Sequence, residues 1–380
     1  MINFIATTTF GLEAIVKREA QNLGFSNISV EDGIVNFTGD IKDIPKANIW
    51  FRSADRILMV MSKFKATTFE ELFQGVKAIN WADFLPKDAN FIISGKSLKS
   101  TLSSVPACQK ITEKAIVEKL KLTYKGIEYF SKSGDLYKIQ VALLKDNVTI
   151  TLDTSGTGLH KRGYRENQLA APLKETLASG LIDLSYYKKD RILIDPTCGS
   201  GTIAIEAAMI AKNIAPGLMR NFDSENWGFI NKTYWKEARK DAYSKIDVNF
   251  RPEIYASDID EKAIQIAKGN AKIAGVDDCI RFDVKPLNKI NIKDIKYGVC
   301  IANPPYAERI GILEEVEQLY KDMGKIFNSN KTFSTYVLTS HEGFEKLYGR
   351  KADKKRKLFN GNVKVEYYQF FGERPPKPNK

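Results

Sequence analysis

Apolar positions in the first 65 residues switch between two periods. Asn3–Thr8, Ile28–Val30 and Gly33–Thr38 are short, strand-like runs. Between them, GLEAIVKREAQNLG sets Leu12, Ile15, Val16, Ala20 and Leu23 on one helical face before Gly24 stops the helix. KANIWFRSADRILMVMSKFKA repeats the plan, with a helix followed by a strand over Ile57–Phe64. The order strand-helix-strand-strand-helix-strand predicts an α+β unit of the ferredoxin type over residues 1–65. Next, TTFEELFQGVKAINWADFL reads as helix, NFIISGKSL as strand and ACQKITEKAIVEKLKL as helix. LYKIQVALLKDNVTITLDTSG then reads as a hairpin around Lys145-Asp146-Asn147, closing a second α+β unit over 66–155.

From Gly156 the pattern changes. A loop carrying His160, Lys161, Arg162 and Arg165 leads to a helix that Pro172 can start and Glu175 can favour at its N-terminus. Strand RILID, a glycine-rich turn and helix GTIAIEAAMIAKN follow. After them come strand EIYASD, helix DEKAIQIAKGNAKIAG, strand CIRFDV and strand YGVCIANPPY. Strands alternating with helices predict an α/β domain with a doubly wound, mostly parallel sheet. The polar and aromatic stretch Ala215–Arg251 reads as an insertion into that plan, and the tail ERPPKPNK as disordered.

Composition narrows the function classes. At 380 residues, two or three domains are expected. No run approaches the roughly 18 apolar residues of a membrane span, and MINFIATTTF lacks the plan of a signal peptide. Cys108, Cys198, Cys279 and Cys300 are scattered, and His160 and His341 are the only histidines. Buried reduced thiols are expected, with no metal site and a cytoplasmic location. The net charge of +12 suggests a polyanionic partner. Locally, Lys346–Lys357 holds seven basic residues against Asp353, a patch suited either to phosphates or to a solvated edge. The four joining basic residues, His160, Lys161, Arg162 and Arg165, are open to the same two readings.

Two motifs carry the chemistry. In ILIDPTCGSGTIAIEAA a buried strand ends at Asp195, glycines 199 and 201 shape the turn, and a helix starts at once. Such a turn lets backbone approach a ligand, and the helix N-terminus favours a carboxylate. An acid at the strand end suits a cation. S-adenosylmethionine offers both, an α-ammonium for Asp195 and a carboxylate for the backbone amides. The next strand ends in Ser257-Asp258-Ile259-Asp260, and an acid there can accept both ribose hydroxyls. Asp260 is equally suited to cap the following helix. The second motif is Asn303-Pro304-Pro305-Tyr306. The Asn303 amide oxygen and a proline carbonyl can accept from an exocyclic amine, aiming its lone pair at a methyl carbon. Tyr306 can stack on the planar group that bears the amine.

DPTCGSGT with NPPY resembles the methyltransferases that alkylate amino nitrogens of bases or amides. LHKRGYR, APLKE, DPTCGSGTIAIEAA, APG, SDID, NPPYAERI and LFNG together resemble the bacterial enzymes that make N2-methylguanosine in large-subunit (23S) rRNA. That resemblance spans essentially the whole chain. It implies a Rossmann-like class I methyltransferase domain over 191–380, preceded by ferredoxin-like (1–65) and THUMP (66–155, or starting near 44) units. Residues 156–190 would be linker and cofactor-lining helix. Asp195, Pro196, Gly199, Gly201, Thr202, Asp258 and Ile259 would hold the cofactor, together with Asn303 and with Pro172, Lys174 and Glu175 of Ala171–Glu175. Asn303, Pro304, Pro305 and Tyr306 would hold the target base. Asp283 would face the adenine amine, although Pro286 occupies the position more often acidic in such enzymes. Only the guanine-N2 half of the fused two-enzyme versions is matched, with no second catalytic domain. The partner implied is 23S rRNA or a ribosome assembly intermediate, bound by a monomer.

Adenine N6 is also an exocyclic amine, so a DNA adenine-N6 methyltransferase would share both motifs. The two N-terminal α+β units, and no target-recognition domain after the catalytic one, speak against it. A glutamine-N5 protein methyltransferase would have a short helical N-terminal domain instead. A THUMP-bearing tRNA guanine-N2 enzyme remains the nearest rival.

Overall fold

The computed structural model describes residues 1–126, 130–165, 172–306 and 313–376. The chain divides into two compact units, each discontinuous in sequence. The first combines Met1–Thr8, Lys17–Leu159 and Asn221–Asp241; the second combines Thr9–Val16, His160–Arg220 and the chain from Ala242 onward. No helix among the described residues is long and apolar enough to cross a membrane.

The first elements follow the expected order: β1 (Ile2–Thr8), α1 (Glu13–Asn22), β2 (Ser26–Glu31), β3 (Ile34–Gly39), α2 (Ile44–Trp50) and β4 (Ala54–Lys65). After them come α3 (Phe69–Lys77), β5 (Asn90–Leu98), α4 (Val105–Thr123), β6 (Leu136–Leu144) and β7 (Asn147–Asp153). All seven strands share one sheet, in the order β2-β3-β1-β4-β7-β6-β5. The β4–β7 ladder, which joins the two runs of strands, is antiparallel. Thr68 starts α3 with a reciprocal cap involving Glu71. The helix stops at Lys77, short of the expected length. Trp81 is fully buried and its indole N–H donates to the Val76 carbonyl at 2.9 Å, folding the chain back as a single tight turn over Trp81–Asp83. The β6–β7 hairpin turns on Lys145 and Asp146, both at positive φ (51° and 63°), as a two-residue loop of matching twist requires.

The insertion is not an appendage. Its middle, Asn221–Asp241, belongs to the first unit. Trp227 is fully buried, stacks on Tyr137 at 5.0 Å and donates to the Leu136 carbonyl at 3.0 Å. Ser224 donates to the Thr154 carbonyl at 2.6 Å.

In the second part of the chain lie α5 (Glu175–Leu184), β8 (Leu193–Asp195), α6 (Thr202–Ala211), α7 (Lys232–Ser244), β9 (Ile254–Asp258), α8 (Glu261–Ile273), β10 (Ile280–Val284) and β11 (Val299–Ala302). The chain continues with α9 (Leu313–Phe327), β12 (Ser334–Thr339), α10 (Phe344–Tyr348), β13 (Lys354–Asn360) and β14 (Val363–Phe370). The sheet order is β10-β9-β8-β11-β12-β14-β13. Strands β10, β9, β8, β11 and β12 are parallel, and the C-terminal hairpin adds β14 and β13 antiparallel. Strand order reverses between β8 and β11, so a crevice opens beyond their C-terminal ends. One helix starts later than its sequence suggests. Pro172 lies outside α5, because Lys174 is the extended N-cap and the Leu173 carbonyl accepts from the Arg165 guanidinium at 3.2 Å.

The basic patch lies mostly on β13, an edge strand. Arg356 donates to the Gly11 carbonyl at 2.8 Å, Lys355 pairs with Glu345 at 2.8 Å and Arg350 with Asp353 at 2.7 Å. For these residues the patch is a protected edge held by its own chain.

Candidate active site

Strand β8 delivers Asp195 to the crevice at 1% exposure, with neither carboxylate oxygen in a hydrogen bond of ordinary geometry. Burial pushes its carboxyl well above the usual range; the Thr197 amide opposes this and the Asp258 charge reinforces it. A buried acid without a partner is unfavourable unless a cation reaches it. The turn that follows needs its glycines. Gly199 and Gly201 sit at φ 51° and 82°, and a Cβ on Gly201 would lie 3.0 Å from the Ala267 Cβ. Gly201 caps α6, with Thr202 its first residue, and Pro196 is buried in the turn.

Asp258 ends β9 beside this turn. Its Oδ2 accepts from the Gly199 amide at 2.9 Å and its Oδ1 from the Asp260 amide at 3.1 Å, so it fixes the loop. Each oxygen keeps a lone pair. Asp260 is the N-cap of α8, accepting from the Lys262 amide at 2.8 Å. Ile259 is 74% exposed, an apolar side chain left open at the crevice rim. Unpartnered acid, glycine cradle and open apolar face suit an ammonium, a carboxylate and an aromatic ring respectively. The site therefore fits S-adenosylmethionine.

Lys174 and Glu175 lie at the start of α5, with Pro172 half-buried just before it; Ala171 falls outside the described residues. Glu175 is buried with Oε2 unpartnered, while its Oε1 pairs with Arg165 at 3.4 Å. Desolvation raises its carboxyl, against the Arg165 charge. Arg165 also donates to the Thr202 hydroxyl at 2.5 Å, tying the segment before α5 to the first turn of α6. Arg162 is fully buried and pairs with Glu206, which also accepts from Ser179 at 2.5 Å and Tyr164 at 3.1 Å. Neither arginine is a linker residue open to phosphates. The signal in the sequence was Glu206 itself, one acid inside the apolar helix TIAIEAAMIA.

Asp283 lies opposite Ser257 in the β9–β10 ladder, one residue before the Asp258 pair. It lies on the face of β10, ion-paired with Lys285 at 3.1 Å, in a cleft of about 420 Å³ with Tyr255, Ser257 and Arg281. Asn303 follows β11 directly at the switch point. The Tyr306 hydroxyl donates to its Oδ1 at 2.7 Å, and the Tyr306 ring is only 5% exposed. The ring expected to present a free stacking face is thus tucked against the acceptor it follows. Pro304 is buried and Pro305 half-buried between them, and Ala307–Ile310 lies outside the described residues.

Comparison with known proteins sets this geometry in a lineage. Residues 162–369 match the family model of the RMKL-like methyltransferase domain, 3–58 that of the RlmL ferredoxin-like domain and 66–153 that of the THUMP domain. The chain is 50% identical to the Bacillus subtilis (strain 168) protein named "Putative RNA methyltransferase YpsC", across 99% of this chain and 97% of that protein. A crystal structure from Listeria monocytogenes str. 4b F2365, described as a "predicted N6-adenine-specific DNA methylase", is 48% identical with a TM-score of 0.93, covering 98% of this chain and 96% of that one. SMU.472, described as "a putative methyltransferase complexed with SAH", is 43% identical with a TM-score of 0.93, covering 99% of both. The three names agree on methyl transfer, and the two that specify a nucleic acid differ, RNA for the Bacillus protein and DNA for the Listeria structure.

Proposed function

This chain belongs to the RMKL-like methyltransferase family, in the form with RlmL ferredoxin-like and THUMP domains, and from that premise we propose that it makes N2-methylguanosine in 23S rRNA. It is an S-adenosylmethionine-dependent RNA methyltransferase; guanine N2 and 23S rRNA are the finer reading. The observation that carries transfer to an exocyclic amine is Asn303, held at the end of β11 across the switch point from the buried Asp195, while the RlmL ferredoxin-like and THUMP matches before it support 23S rRNA guanine as the bearer of that amine. An amide oxygen there accepts a hydrogen bond from an exocyclic amine and leaves the nitrogen lone pair free to attack. When bound, S-adenosylmethionine supplies an electrophilic methyl carbon: the C–N bond forms as the C–S bond breaks, sulfur keeps the electron pair, and the nitrogen loses one proton to water. Asp195 and Glu175 bind the ammonium, the α6 N-terminus the carboxylate, and Asp258 the ribose. No general base is required, so the chain's contribution is placement.

Support for RNA over DNA comes from the THUMP domain at 66–153 and from the RNA methyltransferase name of the Bacillus relative. The adenine-N6 description of the Listeria structure favours a second reading, since Asn303 would serve either amine. The experiment that separates them offers methyl-labelled cofactor with unmodified 23S rRNA, tRNA and DNA. Label on guanine N2 of rRNA is the expected product; label on tRNA guanine selects the nearest rival, and label on adenine N6 removes the guanine assignment.

A further inference from the structure

Asn360 ends β13 within the sequence LFNG, at the two-residue turn into β14. Strand β14 is antiparallel to both β12 and β13, so β13 runs in the direction of the parallel strands and ends on the same side of the sheet as β11. Asn360 is 8% exposed, a polar side chain in a position whose neighbour two residues earlier, Leu358, is wholly buried. A carboxamide buried there needs a reason. Its Nδ2 donates to the Tyr306 hydroxyl at 3.5 Å, a long contact, and that hydroxyl donates to Asn303 Oδ1 at 2.7 Å.

We propose that Asn360 is a positioning residue for methyl transfer, acting through the Tyr306 hydroxyl to fix which end of the Asn303 carboxamide meets the target amine. The inference rests on the reading that Asn303 accepts that amine. A hydroxyl has one proton. Because Asn360 approaches as a donor, the Tyr306 oxygen accepts from it and turns its proton to Asn303. The Asn303 oxygen is thereby held in place, with its second lone pair left for the substrate, and its amide nitrogen is turned away. A rotated carboxamide would present N–H donors to an amine and repel it. Within this relay the hydroxyl of Tyr306 matters beyond its ring.

The test is a double-mutant cycle on the full chain, with cofactor affinity read by calorimetry using S-adenosylhomocysteine. Asn360→Leu should lower kcat ~10-fold or more, the scale of loss when a reacting group is misplaced, with KM for RNA and cofactor affinity unchanged. Tyr306→Phe should lower kcat similarly, and adding Asn360→Leu to it should have no further effect, because the two act as one chain. Should Asn360→Leu fold poorly, Asn360→Asp keeps the shape and swaps the donor for an acceptor, with the same loss expected. Full activity in the single variants, or an independent further loss in the double variant, overturns the proposal. Asn303→Ala separates the two levels. If it retains activity, the reading of Asn303 fails and takes the relay with it. If it alone is inactive, only the relay fails.

Discussion

Asp195 holds the sharpest tension at the residue scale, a carboxyl group buried with neither oxygen in a hydrogen bond of ordinary geometry. Its raised pKa means the folded protein holds that proton more tightly than the unfolded one. Stability from this group is therefore fullest below its unfolded value and is lost as pH rises through the raised folded one. A cation at the site reverses the loss. The thermal shift produced by S-adenosylhomocysteine should grow as pH rises through that window, and a shift independent of pH would count against Asp195 as the ammonium's partner. Asp195→Asn should stabilise the ligand-free chain near neutral pH. It should also weaken the ligand by about 1.5–3 kcal/mol, roughly 10- to 100-fold, as read by calorimetry. Asn303→Ala, in contrast, should leave cofactor affinity nearly intact and cut turnover about 100-fold, as removing one oriented polar group does. Asp195, Gly199, Gly201 and Asp258 could be read from sequence because a strand end and a tight turn are local. The tie between Tyr306 and Asn303 could not, since nothing in four letters says whether a ring faces out or folds back.

Elements were legible where period and punctuation agreed. β5 follows NFIISGKSL residue for residue, and the Asn303 strand ends where two prolines forbid a ladder. Legibility failed where a partner lay far along the chain. Arg162 and Glu206 sit 44 residues apart, and the loop arginine read equally as a phosphate contact or a solvated linker residue until α6 supplied its carboxylate. Removing one member of that pair strands the other in the interior. Arg162→Met should lower unfolding stability by about 3–5 kcal/mol in denaturant titration, while Arg162→Met with Glu206→Leu should recover much of it. A single variant as stable as the parent would show that the pair is not a structural tie. Strands β12 and β14 gave no motif to read, and LFNG at the end of β13 was legible only as part of a family likeness, with no role attached to Asn360. They matter because they bring Asn360 to the Tyr306 hydroxyl.

At the scale of the whole molecule, neither compact unit is a continuous stretch of chain. Residues 9–16 belong with the methyltransferase unit and 221–241 with the N-terminal one. A chain cut to begin near Gly156 therefore lacks part of one unit and strands Trp227 without Tyr137. Such a truncation is expected to aggregate rather than to report cofactor binding alone, and Trp227→Ala in the full chain should cost about 3–5 kcal/mol of stability. The sequence separated the two halves near residue 155 but read residues 221–241 as an insertion, because the residues they pack on, such as Tyr137 and Thr154, lie far back along the chain. What the two units accomplish together is tested most directly by nucleoside mass spectrometry of 23S rRNA from a strain lacking this gene, with the intact and Asn303→Ala forms restored. The account predicts that N2-methylguanosine is depleted in that rRNA, returns with the intact chain and does not return with Asn303→Ala. Unchanged N2-methylguanosine in 23S rRNA, with depletion instead in tRNA guanine or DNA adenine, would contradict it.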